Sequence, residues 1–229
     1  MSWILKEDRL VFEAEAGVSV MTTARSLSLP AVEPEVSALR SRVEAAGFRP
    51  GSVVGMRQVH EARIEKVGQG PDRLVSSCDG LVTAQPGVAL VVRTADCLPI
   101  VAFGKEGQTG VVHAGWRGIR AGIPGRLIER LGGPGAVTGA AIGAGIGPCC
   151  YEVGAEFEPW FGPQLQRRQG KLYLDLAAAA AEQMERAGLP AGRIERAPWC
   201  TACLAAPELH SYRRDGPSAG RMLTVAMLL

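Results

Sequence analysis

The chain of 229 residues holds three histidines and six cysteines, and most of these reactive side chains fall in a few short segments. His60 ends Gln58-Val-His60, where Ser52–His60 reads as a strand. Cys97 follows Thr94-Ala-Asp96 at the end of another strand. His113 closes the strand Gly110–His113, just ahead of Ala-Gly-Trp-Arg-Gly118. If these strand ends share one edge of the fold, two imidazoles and a thiolate form a three-ligand set with one open position. That is the arrangement of a catalytic zinc, which activates water near neutral pH. The ligands are widely spaced and match no local zinc signature, so a metal-free chemistry uses the same atoms. Cys97 then serves as nucleophile and His113 as its base, as in cysteine hydrolases. Spacing alone leaves both readings open.

Other segments carry weaker signals. The run Gly139–Gly147, followed by Pro148-Cys149-Cys150-Tyr151-Glu152, either cradles an anion with backbone N–H groups or is a strand whose glycines allow close backbone packing. It matches neither the Walker nor the dinucleotide fingerprint. Buried packing is the commonest explanation for a vicinal pair such as Cys149-Cys150. Cys200-Thr-Ala-Cys203 is a lone CxxC, a poor structural zinc site without a second pair, and it reads as two small buried residues at a turn. Ser211-Tyr-Arg-Arg-Asp215 groups hydroxyls with two guanidinium groups, which suits a phosphate or ribose but also a solvated loop. Trp116-Arg117 can orient a flat base, or Trp116 can belong to the core.

The elements that must position these groups are mixed. Val18–Thr23 alternates as a strand. Glu33–Ala46 carries Val36, Leu39, Val43 and Ala46 at the spacing of one helix face, with Gly47 as a stop. Ser52–His60 and Arg63–Val67 read as strands, and so do Leu81–Thr83, Val88–Arg93, Pro99–Phe103 and Gly110–His113, separated by Pro and Gly turns. Ile119, Ile123, Leu127 and Leu131 form a helical stripe, with Pro124 in its first turn or at a kink. Asp175 caps an alanine-rich helix that stops at Gly188. Arg193–Arg196 and Arg221–Leu228 read as closing strands. This interleaving fits a mixed α+β sandwich better than a doubly wound parallel sheet.

Composition narrows the function classes. Hydrophobic residues make up 47% and charged residues 21%, which excludes disorder as the main state. The net charge of +2, without a clustered basic patch, argues against a nucleic-acid partner. The apolar runs are too short to span a membrane. The N-terminus carries acids where a secretory signal needs bases, so a cytoplasmic protein is expected, its cysteines thiols or ligands rather than a disulfide framework. The length suits one domain over residues 1–229. Oligomeric state is not legible.

Taken together, the motifs resemble a family. Gln58-Val-His60, Cys78-Asp-Gly-Leu-Val-Thr83, Thr94-Ala-Asp-Cys-Leu-Pro99 and His113-Ala-Gly-Trp-Arg-Gly118 occur in this order. Ile146-Gly-Pro-Cys-Cys-Tyr-Glu-Val153, Cys200-Thr201 and His210-Ser-Tyr-Arg-Arg-Asp-Gly216 follow. From about residue 52 to residue 229 the chain resembles the YfiH-like proteins, described first as multicopper polyphenol oxidases or laccase-like and later as purine nucleoside phosphorylases. The resemblance implies a four-layer α/β/β/α sandwich with mixed β-sheets, related in fold to toxin-type cysteine hydrolases. It also implies Zn²⁺ held by His60, Cys97 and His113.

The implied chemistry is phosphorolysis of adenosine, inosine, guanosine or methylthioadenosine, and deamination of adenosine. Purine nucleosides and phosphate are the implied partners. Activated water attacking purine C6 accounts for deamination, with Asp96 or Glu61 moving protons. Arg117, Arg213 and Arg214 are candidates for holding phosphate, with Trp116 and His210 as pocket walls. A multicopper oxidase needs far more imidazoles than three, so laccase chemistry is discounted. The alternatives are the cysteine hydrolase above and a non-catalytic nucleoside-binding protein.

One departure from the family bears on the last alternative. The N-terminal segment usually carries Thr-Thr-Arg and a Gly-Gly-Val-Ser loop, and here it reads Met21-Thr-Thr-Ala-Arg25-Ser-Leu-Ser-Leu29. The family's later Asn-Arg pair reads Leu39-Arg40. If this segment covers the ligand or binds phosphate, the change is expected to slow, alter or abolish phosphorolysis.

Overall fold

The computed structural model describes residues 2–6, 8–14, 17–32, 34–203 and 209–229. In chain order it begins with strands β1 (Ser2–Lys6), β2 (Arg9–Glu13) and β3 (Val18–Thr23) and helix α1 (Val36–Ala45). Next come β4 (Ser52–Met56), β5 (Ile64–Lys66), β6 (Arg73–Val75), β7 (Gly80–Thr83), β8 (Val88–Thr94), β9 (Leu98–Gly104) and β10 (Gln108–Ala114). Two short helices, α2 (Trp116–Arg120) and α3 (Ile123–Arg130), precede β11 (Val137–Ile142). A small section follows, with β12 (Glu152–Val153), α4 (Glu158–Phe161), β13 (Leu165–Arg168) and β14 (Lys171–Leu174). The chain closes with α5 (Leu176–Arg186), β15 (Ile194–Arg196), α6 (Tyr212–Asp215) and β16 (Met222–Leu228).

The strands form a larger sheet of seven, ordered β1-β2-β3-β16-β8-β4-β6, a smaller sheet of six, ordered β15-β11-β9-β10-β7-β5, and a three-stranded sheet, β12-β14-β13. Both main sheets are mixed: β4 runs parallel to β6 and β8, and β11 runs parallel to β15, while most other pairs are antiparallel. The α+β reading of the sequence holds. No helix among the described residues is long and apolar enough to cross a membrane.

Alternation along the central strands builds three separate cores. In β8, Leu90 and Val92 join Phe103, Val101 and Val111 of the smaller sheet in one core. Ala89 and Val91 point the other way, into a core closed by Leu39 and Val43 of α1. In β9, Ile100 and Ala102 face α3 and α5 through Ile123, Leu127, Ala180 and Met184. A strand sends successive side chains to opposite faces, so strands buried on both faces read as continuous apolar runs. The burial of β8 and β9 shows this directly.

Several expectations shift at their edges. The helix over residues 33–46 starts at Val36, and Glu33 itself lies outside the described residues. The strand expected over Ser52–His60 ends at Met56, so His60 does not end a strand but sits in the crossing that follows. The single helical stripe from Ile119 to Leu131 is two helices. Gly122 breaks it with φ +83, and Pro124 falls in the first turn of α3, where its missing N–H costs nothing. The Gly139–Gly147 run is β11 and its extension, where a Cβ at Gly143 would meet Pro99 Cγ at 2.7 Å. Close packing, not an anion cradle, explains those glycines. Asp175 caps α5 as expected, accepting from Ala178 N at 2.8 Å.

Candidate metal centre

The centre grows from one buried acid, Asp79, at the start of β7. Its carboxylate accepts the backbone N–H groups of Val59, His60 and Glu61 at 3.1, 3.0 and 2.9 Å. These bonds hold the crossing after β4 in place and keep His60 at φ +64. For a residue with a Cβ, that left-handed conformation costs on the order of 1–2 kcal/mol, and such strain gathers at functional sites. The same carboxylate faces His113 Nδ1 at 2.8 Å, and the Asp79 carbonyl accepts His113 N at 2.7 Å. Burial works against the Asp79 charge, but the His113 bond and the N–H groups of Glu61 and Val59 outweigh it and hold the carboxyl below its ordinary range.

Cys97 comes from the turn that carries the chain from β8 in the larger sheet to β9 in the smaller one. His113 lies on β10, paired in register with Pro99 of β9. The ligating atoms of His60, Cys97 and His113 lie within 4.8 Å of one another. The two imidazoles meet edge to face at 4.7 Å between centroids. Gly115 completes the cradle, because a Cβ there would stand 2.8 Å from Cys97 Sγ. Exposure grades across the set: His113 is buried, Cys97 half-buried and His60 exposed.

These residues fit a metal. One sulfur and two imidazole nitrogens form a borderline-soft donor set with an open side. With Nδ1–H directed at Asp79, His113 presents Nε2 for ligation, the carboxylate–histidine pairing that surrounds metal sites. The electrostatics of the thiol and imidazole alone are also informative. Burial pushes the Cys97 thiol up, but the charge and hydrogen bonds of His113 and His60 bring it down to about 6. Burial pushes His113 down, and the Cys97 charge with the Asp79 bond raises it to about 9.

The open side of the centre faces a cavity of about 560 Å³, within the range of small-molecule sites. Of the residues singled out in the sequence, His60, Cys97, His113, Asp96, Trp116, Arg117 and Arg213 all line it. Asp96, at φ +81, accepts Thr201 Oγ1 and the Arg213 backbone N–H, each at 2.6 Å. Trp116 packs on Phe157 and stacks on Trp160, with the Arg117 guanidinium 4.5 Å above its ring. The Arg213 guanidinium donates to the Cys150 and Glu152 carbonyls near Tyr151.

Glu61, Arg214 and His210 fall outside the cavity lining, and so does Arg25 of the N-terminal segment. Arg214 donates to the Thr201 and Leu209 carbonyls and pairs with Asp215. His210 bonds Ser28 Oγ at 2.7 Å and accepts Gly220 N at 3.1 Å. Arg25 pairs with Asp215, and the N-terminal segment reaches the cavity through Ala31.

Four contributors escaped the reading of the sequence as site residues: Asp79, Tyr151, Arg93 and Arg221. Asp79 had a weak signal, a lone acid between Cys78 and Gly80 just ahead of the apolar pair Leu81-Val82. The two arginines had none, because β8 and the entry to β16 bring them to the cavity only through the fold. The cysteine pairs also differ from expectation. Cys149 and Cys203 are exposed rather than packed away, and the fold brings the vicinal pair beside the CxxC. All four sulfurs lie within 4.8 Å of one another. A larger cavity, about 820 Å³, is lined by Arg9, Met21, Phe48 and Met227 among others and contains neither cluster.

Residues 15–229 match the family described as multi-copper polyphenol oxidoreductase laccase. The chain belongs to this family. Similar curated proteins carry the name purine nucleoside phosphorylase. One from Aquifex aeolicus is 41% identical, covering 66% of this chain and 71% of its own length. Another from Xylella fastidiosa is 34% identical, covering 99% of this chain and 97% of its own. Among solved structures, YlmD of Geobacillus stearothermophilus aligns with a TM-score of 0.87 at 29% identity, covering 99% of this chain and 98% of that one. The hypothetical protein YfiH of Bacillus licheniformis aligns with a TM-score of 0.87 at 25% identity, over 99% of both chains. Copper in the family's description meets a donor set of two imidazoles and one thiol here. The third histidine is tied to Ser28 and Gly220, away from the cavity.

Proposed function

We propose that this chain is a zinc-dependent enzyme of purine nucleosides. It exchanges the base of adenosine, inosine, guanosine or methylthioadenosine for phosphate, and it deaminates adenosine. One observation carries the reading: the His60, Cys97, His113 set forms the floor of a cavity whose wall includes Arg93, Arg117, Arg213 and Arg221 and a single carboxylate, Asp96. Such a cavity focuses a positive field on an anionic co-substrate, and the relatives' name supplies phosphate as that anion.

His60, Cys97 and His113 would hold the zinc, which supplies Lewis-acid activation of water or of a substrate oxygen or nitrogen. Asp79 fixes the tautomer and orientation of His113. Trp116 and Tyr151 offer flat surfaces to a purine, and Arg117 and Arg213 offer N–H donors to phosphate oxygens. Proton handling falls to Asp96, since Glu61 touches the centre only through its backbone N–H. A cytoplasmic setting belongs to this reading, because both cysteine sites need reduced thiols.

The test is product analysis on adenosine with and without phosphate, alongside metal content. Adenine and ribose 1-phosphate are expected only with phosphate, and inosine in either case. Absence of all three products from zinc-loaded protein overturns the reading. A second reading is favoured by the lowered Cys97 thiol beside the raised His113: a metal-free thiolate–imidazolium pair with hydrolase activity. His60→Ala separates the two. It abolishes turnover in the zinc enzyme and leaves a Cys97–His113 dyad working.

A further inference from the structure

We infer that Cys149, Cys150, Cys200 and Cys203 form a second, structural zinc site that ties together two loops behind the cavity. The fold alone brings the two pairs to one point. Gly145 bridges Cys200 in a parallel register, and Thr201 N donates to the Gly145 carbonyl at 3.0 Å. Cys150 N and Tyr151 N both donate to the Gly147 carbonyl, at 3.0 and 2.9 Å, closing a turn that points the vicinal cysteines at the CxxC.

The separations suit one tetrahedral ion. Zn–S bonds of about 2.3 Å place neighbouring sulfurs about 3.8 Å apart. Here Cys149 Sγ and Cys203 Sγ are 3.5 Å apart, and no pair in the set exceeds 4.8 Å. The convergence is four-fold rather than two separate pairs, which is the geometry of a shared ion and not of two disulfides.

The backbone adds an independent sign. Cys200 Sγ accepts the Gly147 N–H at 3.2 Å. A backbone donor aimed at sulfur stabilises thiolate, the form that ligates metal, and serves as the outer shell of the site. Gly147 permits the approach, since a Cβ there would lie 3.2 Å from Cys200 Cβ and 3.3 Å from Cys149 Sγ.

Four protein ligands leave no open position, so this site does no chemistry on substrate. Its effect is mechanical. The first loop carries Ile146 and Tyr151, both in the cavity wall, and the Cys150 carbonyl that receives Arg213. The second loop carries Thr201, the partner of Asp96. An ion joining them fixes one wall of the substrate cavity relative to Cys97.

Metal counting tests this, first with the four cysteines intact. Protein purified under reducing conditions is expected to hold two zinc per chain, and His60→Ala to hold one. Cobalt loaded into His60→Ala should show the intense thiolate charge-transfer absorption of a four-sulfur site. The double variant Cys149→Ser/Cys203→Ser should lose that signal and one equivalent of metal, while Cys203→His, which keeps a Cys₃His set, should retain the equivalent. If His60→Ala binds neither zinc nor cobalt, or binds cobalt without the four-sulfur absorption, the inference falls. This outcome leaves the adenosine assay on the unaltered chain unaffected, so the two readings fail separately.

Discussion

The chain builds two sulfur-containing clusters in opposite ways. The first rests on sheet strands and a fully buried acid, grades from buried His113 to exposed His60, and leaves one side open to a cavity. The second rests on two loops and a backbone N–H, with Cys149 and Cys203 exposed. A site that must turn over substrate needs an open position and a rigid, charged outer shell. A site that only joins loops needs four ligands and little else. The location of the polar support distinguishes them: a buried carboxylate in one and a main-chain donor in the other.

The largest expected effect would test the first half of that contrast. Asp79→Ala removes the acceptor of three backbone N–H groups and the partner of His113. Breaking a buried charged pair costs about 3–5 kcal/mol, so the folded state itself is expected to be compromised, with thermal unfolding well below that of the parent. Asp79→Asn keeps the shape and one acceptor oxygen. It should lower metal affinity about 10–100-fold, the usual cost of losing an outer-shell carboxylate, measured by competition with a chelator. If Asp79→Asn holds zinc as tightly as the parent, the buried acid is only a structural cap.

Next in size is loss of the second cluster. Cys149→Ser/Cys203→Ser removes a ligand whose binding is linked to folding. At a ligand concentration about a thousand times its dissociation constant, that linkage amounts to about 4 kcal/mol. Thermal unfolding of the variant should fall accordingly, and KM for nucleoside should rise while kcat changes less. A drop in kcat with KM unchanged would place the four cysteines in the chemistry and erase the distinction between the two sites.

Gly115→Ala probes the cradle of the first site at finer scale. The added Cβ would sit 2.8 Å from Cys97 Sγ, and overpacking of this kind costs about 1–3 kcal/mol. Displacement of the sulfur should weaken zinc binding at this centre and leave the four-cysteine site filled. Elemental analysis of the variant reads both at once.

Most of the fold was legible because the central strands alternate or run apolar. Val18–Thr23 is an observed strand with the expected bounds, and Val88–Arg93, Pro99–Phe103 and Gly110–His113 lie inside observed strands that extend only slightly further. Pattern did not reveal the three-stranded sheet, whose strand Leu165–Arg168 is short and largely exposed. It also overran β4, because Met56-Arg-Gln-Val-His60 continues a strand-like composition while Asp79, remote in sequence, pulls residues 59–61 out of the ladder. The three donor residues of the first cluster stood out in the sequence as residue types, while the acid that holds two of them was marked only weakly, since its partners are mostly main-chain N–H groups. The second site was illegible for a related reason. A vicinal pair and a CxxC about fifty residues apart look like two unrelated features until the Gly145–Cys200 bridge joins them.

The last expected effect is a pH dependence that separates the two clusters by their protons. In the metal-free first site, the Cys97 thiol lies at about 6 and His113 at about 9. Between these values the pair is thiolate and imidazolium. The sign follows for each partner. The lowered Cys97 contributes stability that is full above its ordinary thiol value and is lost as pH falls through about 6. The raised His113 contributes stability that is full below its ordinary imidazole value and is lost as pH rises through about 9. Metal needs the thiolate, already present, and a neutral imidazole, which is not. Zinc binding in this window should therefore release about one proton, from His113, and affinity should rise about tenfold per pH unit up to pH 9. Binding at the four-cysteine site must displace thiol protons as well and should release more. Calorimetry of His60→Ala and of Cys149→Ser/Cys203→Ser, each in buffers of differing ionisation enthalpy, counts these protons separately. The second variant keeps the first site, and release of two or more protons there at pH 7.5 would mean that Cys97 stays protonated before metal arrives. That result would weaken the thiolate–imidazolium basis of the metal-free reading too.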